Sequence, residues 1–206
     1  MAKKEAKKEI AEGKIFIPPI NKKYGKLTIV GDSPLMVNQF SEKAKNEINE
    51  SHQKKAKGPK QARDPRAEFE AAKYLLPNGK YGIPASGLKK CAVRMCSFIE
   101  GINMTTAKAA FFVLEESDGL VAIKSSEPVM DERFVRVGTF GNKKPMNRYR
   151  PRFDKWECTF SICYDADLIS IEQLINLYDR AGFSIGLCEL RPEKDGHLGT
   201  FHVKRA

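Results

Sequence analysis

Between Lys155 and Tyr164 polar and apolar residues alternate without a break. Trp156, Cys158, Phe160, Ile162 and Tyr164 fall on one side; Lys155, Glu157, Thr159 and Ser161 fall on the other. A period of two defines a β-strand with one buried face. A helix follows. Ser170 and Gln173 have the spacing of a capping box, in which the hydroxyl accepts from the Gln173 N–H and the Gln side chain reaches back. Ile171, Leu174, Ile175 and Tyr178 form its apolar stripe, and Gly182 is the expected C′ residue. Phe183 to Leu187 reads as a new extended segment, Arg191 to Gly199 as a turn-rich connection, and Thr200 to Val203 as a last short strand. A strand, an amphipathic helix and a returning strand make a split βαβ unit, half of a ferredoxin-like domain.

The preceding residues supply more elements of both kinds. Residues 1–9 are charged and carry no apolar stripe, which reads as a flexible basic tail extending to about residue 14. Ile15 to Ile20 is apolar and interrupted by Pro18 and Pro19, which suits an edge strand or an arm docked either on a neighbouring subunit or on its own core. Lys26 to Val30 is a strand, ended by Gly31-Asp32-Ser33-Pro34. Ser41 to Lys57 has a polar helical pattern and runs into a basic loop through Arg63. Asp64-Pro65 offers an N-cap followed by proline at N1. A hairpin is expected around Asn78-Gly79, then a helix with Ser86 as N-cap and Leu88, Cys91, Ala92, Met95 and Ile99 as its buried stripe. Strands are expected over Lys108 to Leu114, Leu120 to Ile123 and Phe134 to Val137. The class is α+β.

The charge says more about partners than the elements do. The chain of 206 residues carries a formal net charge of +10, which favours an anionic partner, nucleic acid first. The densest basic segment, read as a loop, is Arg133 to Lys155. It holds Arg133, Arg136, Lys143, Lys144, Arg148, Arg150, Arg152 and Lys155 against the single acid Asp154, interleaved with Phe134, Phe140, Tyr149 and Phe153. Cations track phosphates while aromatic faces stack on unpaired bases. The open side of the Lys155–Tyr164 strand carries no aromatic residue, so no stacking platform is expected on the sheet there.

Catalytic signals are few. The five cysteines include no C-x-x-C pair and read as buried, reduced thiols, with no metal site expected. There is no P-loop, no dinucleotide fingerprint and no H-E-x-x-H. Asp165 and Asp167 suit turn roles, and His52 and His202 suit exposed positions. No run is apolar enough to span a membrane and no signal-peptide core is seen, so a cytoplasmic protein that binds no membrane is expected.

Two segments together resemble the RAMP superfamily of CRISPR-associated proteins, especially Cas7-like backbone subunits. Gly82-Ile83-Pro84-Ala85-Ser86-Gly87-Leu88-Lys89-Lys90 through Arg94 is similar to that family's I-P-G-S-S-L-K-G-x-x-R stretch, with Ala85 in place of a glycine. Gly186 through Gly199 resembles its C-terminal glycine-rich loop. The chain as a whole resembles a family of small proteins encoded in phage and prophage genomes. The resemblance implies an RRM-like (ferredoxin-like) βαββαβ core over residues 15–206. Its insertions would be helical, at about residues 40–73, and a basic loop or hairpin, at about residues 133–154. It also implies self-association head to tail along a nucleic-acid strand, and no cofactor. The expected function is non-catalytic binding of single-stranded RNA or DNA, with Lys89, Lys90, Arg94, Arg136, Lys143, Lys144, Arg148, Arg150, Arg152, Arg191 and Lys194 lining the strand and Tyr149 or Phe140 stacking on bases. The alternatives are a RAMP-type endoribonuclease using Asp32 or His197, and a phage protein whose basic surface meets another protein.

Overall fold

The computed structural model describes residues 17–40, 49, 53, 63–138, 142 and 144–205. The tail, the polar helix of Ser41 to Lys57, His52, Phe140 and Lys143 lie outside the described residues.

The alternating strand is β8 (Trp156–Asp165), and it is the centre of the main sheet. On one side it pairs antiparallel with β1 (Lys22–Gly31), from Lys22 opposite Asp165 to Val30 opposite Glu157. On its other side lies β4 (Phe111–Leu114), also antiparallel. The final strand β9 (Phe201–Val203) pairs with β1 beyond β8, again antiparallel. The order β4-β8-β1-β9 places two parallel pairs, β1 with β4 and β8 with β9, each split by a strand of the other. This is the ferredoxin-like arrangement. Two short strands extend the sheet: β5 (Leu120–Ser125) on β8 and β3 (Gly82–Pro84) on β5. β4 and β5 lie along the same edge of β8, Leu114 opposite Ser161 and Ile123 opposite Cys158, so the edge strand is interrupted by the excursion of residues 115–119.

The helices cover one face. α2 (Ala85–Met95) buries Leu88, Cys91, Ala92 and Met95, and α4 (Ile171–Ser184) buries Leu174, Leu177, Tyr178 and Ala181. Tyr178 meets Phe111 and Phe160 in tilted and edge-on ring contacts. Burial pushes the Cys91, Cys158 and Cys188 thiols up to about 12, as expected of structural rather than reactive cysteines. α1 (Pro65–Ala71) starts as its sequence dictates, with Asp64 Oδ1 accepting from the N–H groups of Arg66 and Ala67. The capping box at Ser170 and Gln173 is complete in both directions. No described helix is long and apolar enough to cross a membrane.

Four local expectations are corrected. α4 runs through Gly182 to Ser184, so the returning strand is not Phe183 to Leu187 but β9. Gly182 is a close-approach residue: a Cβ there would lie 2.0 Å from the Phe201 carbonyl oxygen of β9. The C′ role falls to Gly186, with φ +70°. α2 is preceded by Pro84, and Ser86 sits inside its first turn without capping. Lys108 to Ala110 closes α3 (Met104–Ala110), capped by Asn103, and the strand begins only at Phe111.

Gly182→Ala separates the two roles of glycine by sign. In a free helix the change would stabilise by roughly 0.5–1 kcal/mol. Here we expect a loss of about 1–3 kcal/mol, because β9 must move away from α4. Urea unfolding of the two proteins checks this.

Candidate nucleic-acid interface

The basic segment is a hairpin, not a loop. β6 (Val129–Val137) and β7 (Lys144–Phe153) pair antiparallel over their full described length, and β2 (Leu35–Met36) adds to the free edge of β7. Strand alternation then sorts the side chains. Arg152 lies opposite Val129, Arg150 opposite Asp131 and Arg148 opposite Arg133, all on one face with Lys144, Met146 and Val135. Tyr149 opposite Glu132, Asn147 opposite Phe134 and Pro145 opposite Arg136 occupy the reverse face. β7 is held from the reverse side by α1 and by Tyr81, whose ring centroid is 5.1 Å from that of Phe153.

The arginine face is under-neutralised. Asp131, 7% exposed, accepts from Arg133 Nε at 2.5 Å and from Arg152 Nη1 at 2.8 Å. Burial alone would push its carboxyl up; the two guanidiniums overcome this and hold it below the usual carboxylate range. Arg152 also reaches Asp154, and Arg150 Nη1 donates to Glu189 at 2.8 Å. Arg148 has no carboxylate partner among the described residues, and the Nε groups of Arg148 and Arg150 are buried without a hydrogen bond. Like charges directly opposite, such as Arg133 and Arg148, destabilise a sheet. A hairpin built this way carries more guanidinium charge than its own carboxylates neutralise.

The glycine-rich loop ties this face to α2. Its backbone is strained, with Cys188 at φ +61° and Leu190 at φ +52°. Between them Glu189 anchors through its N–H to the Met36 carbonyl while its side chain takes Arg150. Glu193 accepts from Arg94 Nε at 2.9 Å and from Arg191 Nη2 at 2.8 Å. Burial opposes ionisation of Glu193, and Arg191 and Arg94 outweigh it, so its pKa is lowered.

The expected residues therefore divide. Arg148, Arg150, Arg152 and Lys144 share one face, and the loop connects it to Arg94 and Arg191. Lys90, Lys194, Lys144 and Arg136 are exposed and form no ion pair among the described residues, Arg136 on the reverse face. Tyr149 is also on the reverse face, with its hydroxyl on Glu132 at 3.2 Å. Lys89 points elsewhere: it donates to the Lys108 carbonyl at 2.9 Å and lies over the Phe112 ring, and burial lowers its pKa. Sequence reasoning missed Asp131 as the centre of the cluster, although its spacing of two from Arg133 is a strand signal. It placed Asp32 and His202 separately, whereas Asp32 Oδ1 lies 2.7 Å from His202 Nδ1, both about half exposed. Asp165 caps its own turn by accepting from the Asp167 N–H, as expected.

The fold and this surface define an α+β, ferredoxin-like protein with a cationic hairpin. No family model and no curated protein matches the chain. Solved structures do. A chain from the cryo-EM structure of the Type III-B Cmr-β bound to cognate target RNA matches with a TM-score of 0.51 at 13% identity, over 99% of this chain and 64% of that one. Cmr6 from Pyrococcus furiosus matches with a TM-score of 0.45 at 10% identity, over 90% of this chain and 100% of that one. The protein thus spans less than two thirds of the first of these chains. At 13% identity the first likeness is one of fold, and it agrees with the fold implied by the RAMP-like motifs.

Asp131→Asn removes the charge that holds Arg133 of β6 and Arg152 of β7. Hydrogen bonds to charged groups contribute about 1.5–3 kcal/mol, so we expect a loss of about 2 kcal/mol at pH 7. Because the folded pKa is depressed, this advantage is present above the unfolded carboxylate value of about 3.9 and fades as pH falls through the folded one. The gap between the denaturant midpoints of the two proteins should be smaller at pH 3 than at pH 7.

Proposed function

We propose that this protein is a non-catalytic binder of single-stranded nucleic acid that assembles on itself along the strand, in the manner of a Cas7-type backbone subunit. The observation that carries the reading is the arginine face of the β6–β7 hairpin, where Arg148 lies opposite Arg133 and lacks a carboxylate partner among the described residues. Arginine forks match phosphate oxygens, and an unfilled fork gains most from one. Lys144 lies on the same face, and the exposed Lys90 and Lys194 would add cations along the strand's path. The fold neighbour bound to cognate target RNA supports RNA as the polymer to test first. Self-assembly is supported by the exposed residues before β1, with Ile17 82% and Ile20 68% accessible, which suit an arm seated on a neighbouring copy. The resemblance to phage and prophage proteins makes the cytoplasm of a bacterial host the place of action.

A second reading rests on the Asp32–His202 pair. An exposed imidazole oriented by a carboxylate can move protons at neutral pH, and an RNA 2′-hydroxyl is a suitable substrate. This reading predicts cleavage products that disappear in Asp32→Ala.

Fluorescence anisotropy of labelled single-stranded RNA, single-stranded DNA and duplex DNA over a salt series tests the proposal. The expected outcome is tight binding to a single strand, stepwise saturation on longer oligonucleotides and intact RNA on a gel. Lys144→Ala with Arg148→Ala should reduce the salt slope by about 1.4, at roughly 0.7 per single-strand phosphate contact. Weak, equal binding to all three polymers would sink the proposal and direct attention to an acidic protein partner.

A further inference from the structure

A second surface belongs to the main sheet rather than the hairpin. The face opposite the helices is expected to be plain on β8, and on that strand it is: Glu157, Thr159 and Ser161 point there. The neighbouring strands change the picture. Tyr24 of β1 and Phe112 of β4 both lie directly opposite Cys163, one on each side, so the three side chains form a row across three strands. Phe111 is fully buried toward α4, which turns Phe112 outward. Cys163 is 6% exposed, while Tyr24 is 65% and Phe112 54% exposed. The row is a buried thiol between two solvent-facing rings. Strands are about 4.8 Å apart, so the rings stand on strands roughly 10 Å apart.

The surroundings are those of a strand-binding surface. Lys22 and Lys26 flank Tyr24 on the same face of β1, both exposed, and the Lys22 ammonium is 5.7 Å from the Tyr24 ring centre. Lys89 passes its ammonium 3.9 Å from the Phe112 ring centre while bonded to the Lys108 carbonyl, which steadies the ring, and Phe112 still keeps about half of its surface exposed. Lys26, Thr159 and Ser161 line a half-open depression of about 540 Å³ beside the row, together with Leu114, Glu115 and Glu116 of the interrupted edge. Hydroxyls, an ammonium and carboxylates offer both donors and acceptors to the edge of a base. Cys163 and Trp156 are at opposite ends of β8, about 23 Å apart at 3.3 Å per residue, so this row is distinct from the hairpin face rooted at Trp156.

We propose that the Tyr24–Cys163–Phe112 row is a base-stacking platform that holds unpaired nucleotides of the same strand whose phosphates the hairpin binds. The inference rests on the nucleic-acid reading above and adds to it a site for bases. Lys89 acts there as a positioning residue for Phe112, not as a phosphate ligand. Aromatic faces take any base, and Lys22 and Lys26 supply phosphate contacts on either side of Tyr24.

The test uses the full chain and a single-stranded oligonucleotide carrying 2-aminopurine, whose fluorescence reports stacking. Wild-type protein should quench the probe. Tyr24→Ala and Phe112→Ala should each weaken binding about tenfold or more, abolish most of the quench and leave the salt slope unchanged, whereas Tyr24→Phe should retain both. Lys144→Ala with Arg148→Ala should do the reverse: a lower salt slope with the quench kept at saturation. If wild type binds the probe and the alanine variants bind and quench equally well, the platform is wrong while the nucleic-acid reading stands. If wild type binds no oligonucleotide at low salt, both fall. If Tyr24→Ala and Phe112→Ala instead alter sedimentation of the free protein and leave quenching intact, the row is a contact between copies and the platform is overturned.

Discussion

The structure depends on the burial of one face of β8. That face carries Trp156, Cys158, Phe160, Ile162 and Tyr164, all nearly inaccessible, and it is covered by α2 and α4. Because the strand is paired on both sides, its backbone is satisfied by β1 along one edge and by β4 and β5 along the other. Trp156 extends the arrangement beyond the sheet. Its indole N–H donates to the Ser33 carbonyl at 2.9 Å, which holds the turn after β1 from which β2 departs to pair with the hairpin. Together with the Tyr81–Phe153 contact, α1 and the Glu189–Arg150 pair, this bond ties the cationic hairpin to the central core.

The hairpin breaks a local rule that the core obeys. Cross-strand pairs normally match charge, yet Arg133 faces Arg148, and a single buried aspartate holds only two of the four arginines. The departure has a physical compensation: β7 is anchored behind by Phe153 and α1, and the strained loop brings Glu189 to Arg150. Local conflicts that persist within an otherwise consistent fold are expected at functional or strained sites. The loop repeats the device at Glu193, which gathers Arg94 and Arg191, so two separately encoded basic segments share one scaffold of carboxylates.

Much of the fold is legible in the chain because its signals are local. The alternation of β8, the Ser170–Gln173 box and the Asp64-Pro65 start each depend on neighbours a few residues away, and each forms as read. The misreadings share the opposite property. Gly182 resembles a helix terminator, but its missing side chain is needed by β9, almost twenty residues later in the chain. The glycines around Arg133 to Lys155 resemble loop punctuation, but the alternating Arg148, Arg150 and Arg152 carry the strand signal. On the sheet, β8 correctly shows no aromatic platform; Tyr24 and Phe112 face the same way only because two distant strands pair with it.

The sequence alone determines the periods, the caps and the excess of positive charge, since these follow from neighbouring residues and composition. Tertiary structure decides which cations are spent and which remain available. Lys89 is tied to Lys108 and Phe112, Arg94 and Arg191 to Glu193, and Arg150 to Glu189, while Arg148 faces another arginine. Such pairings depend on distances across strands and loops, and charge neutralisation falls off steeply with distance and with solvent screening. A string of residues carries the charges, but only the register of the strands fixes the separations between them.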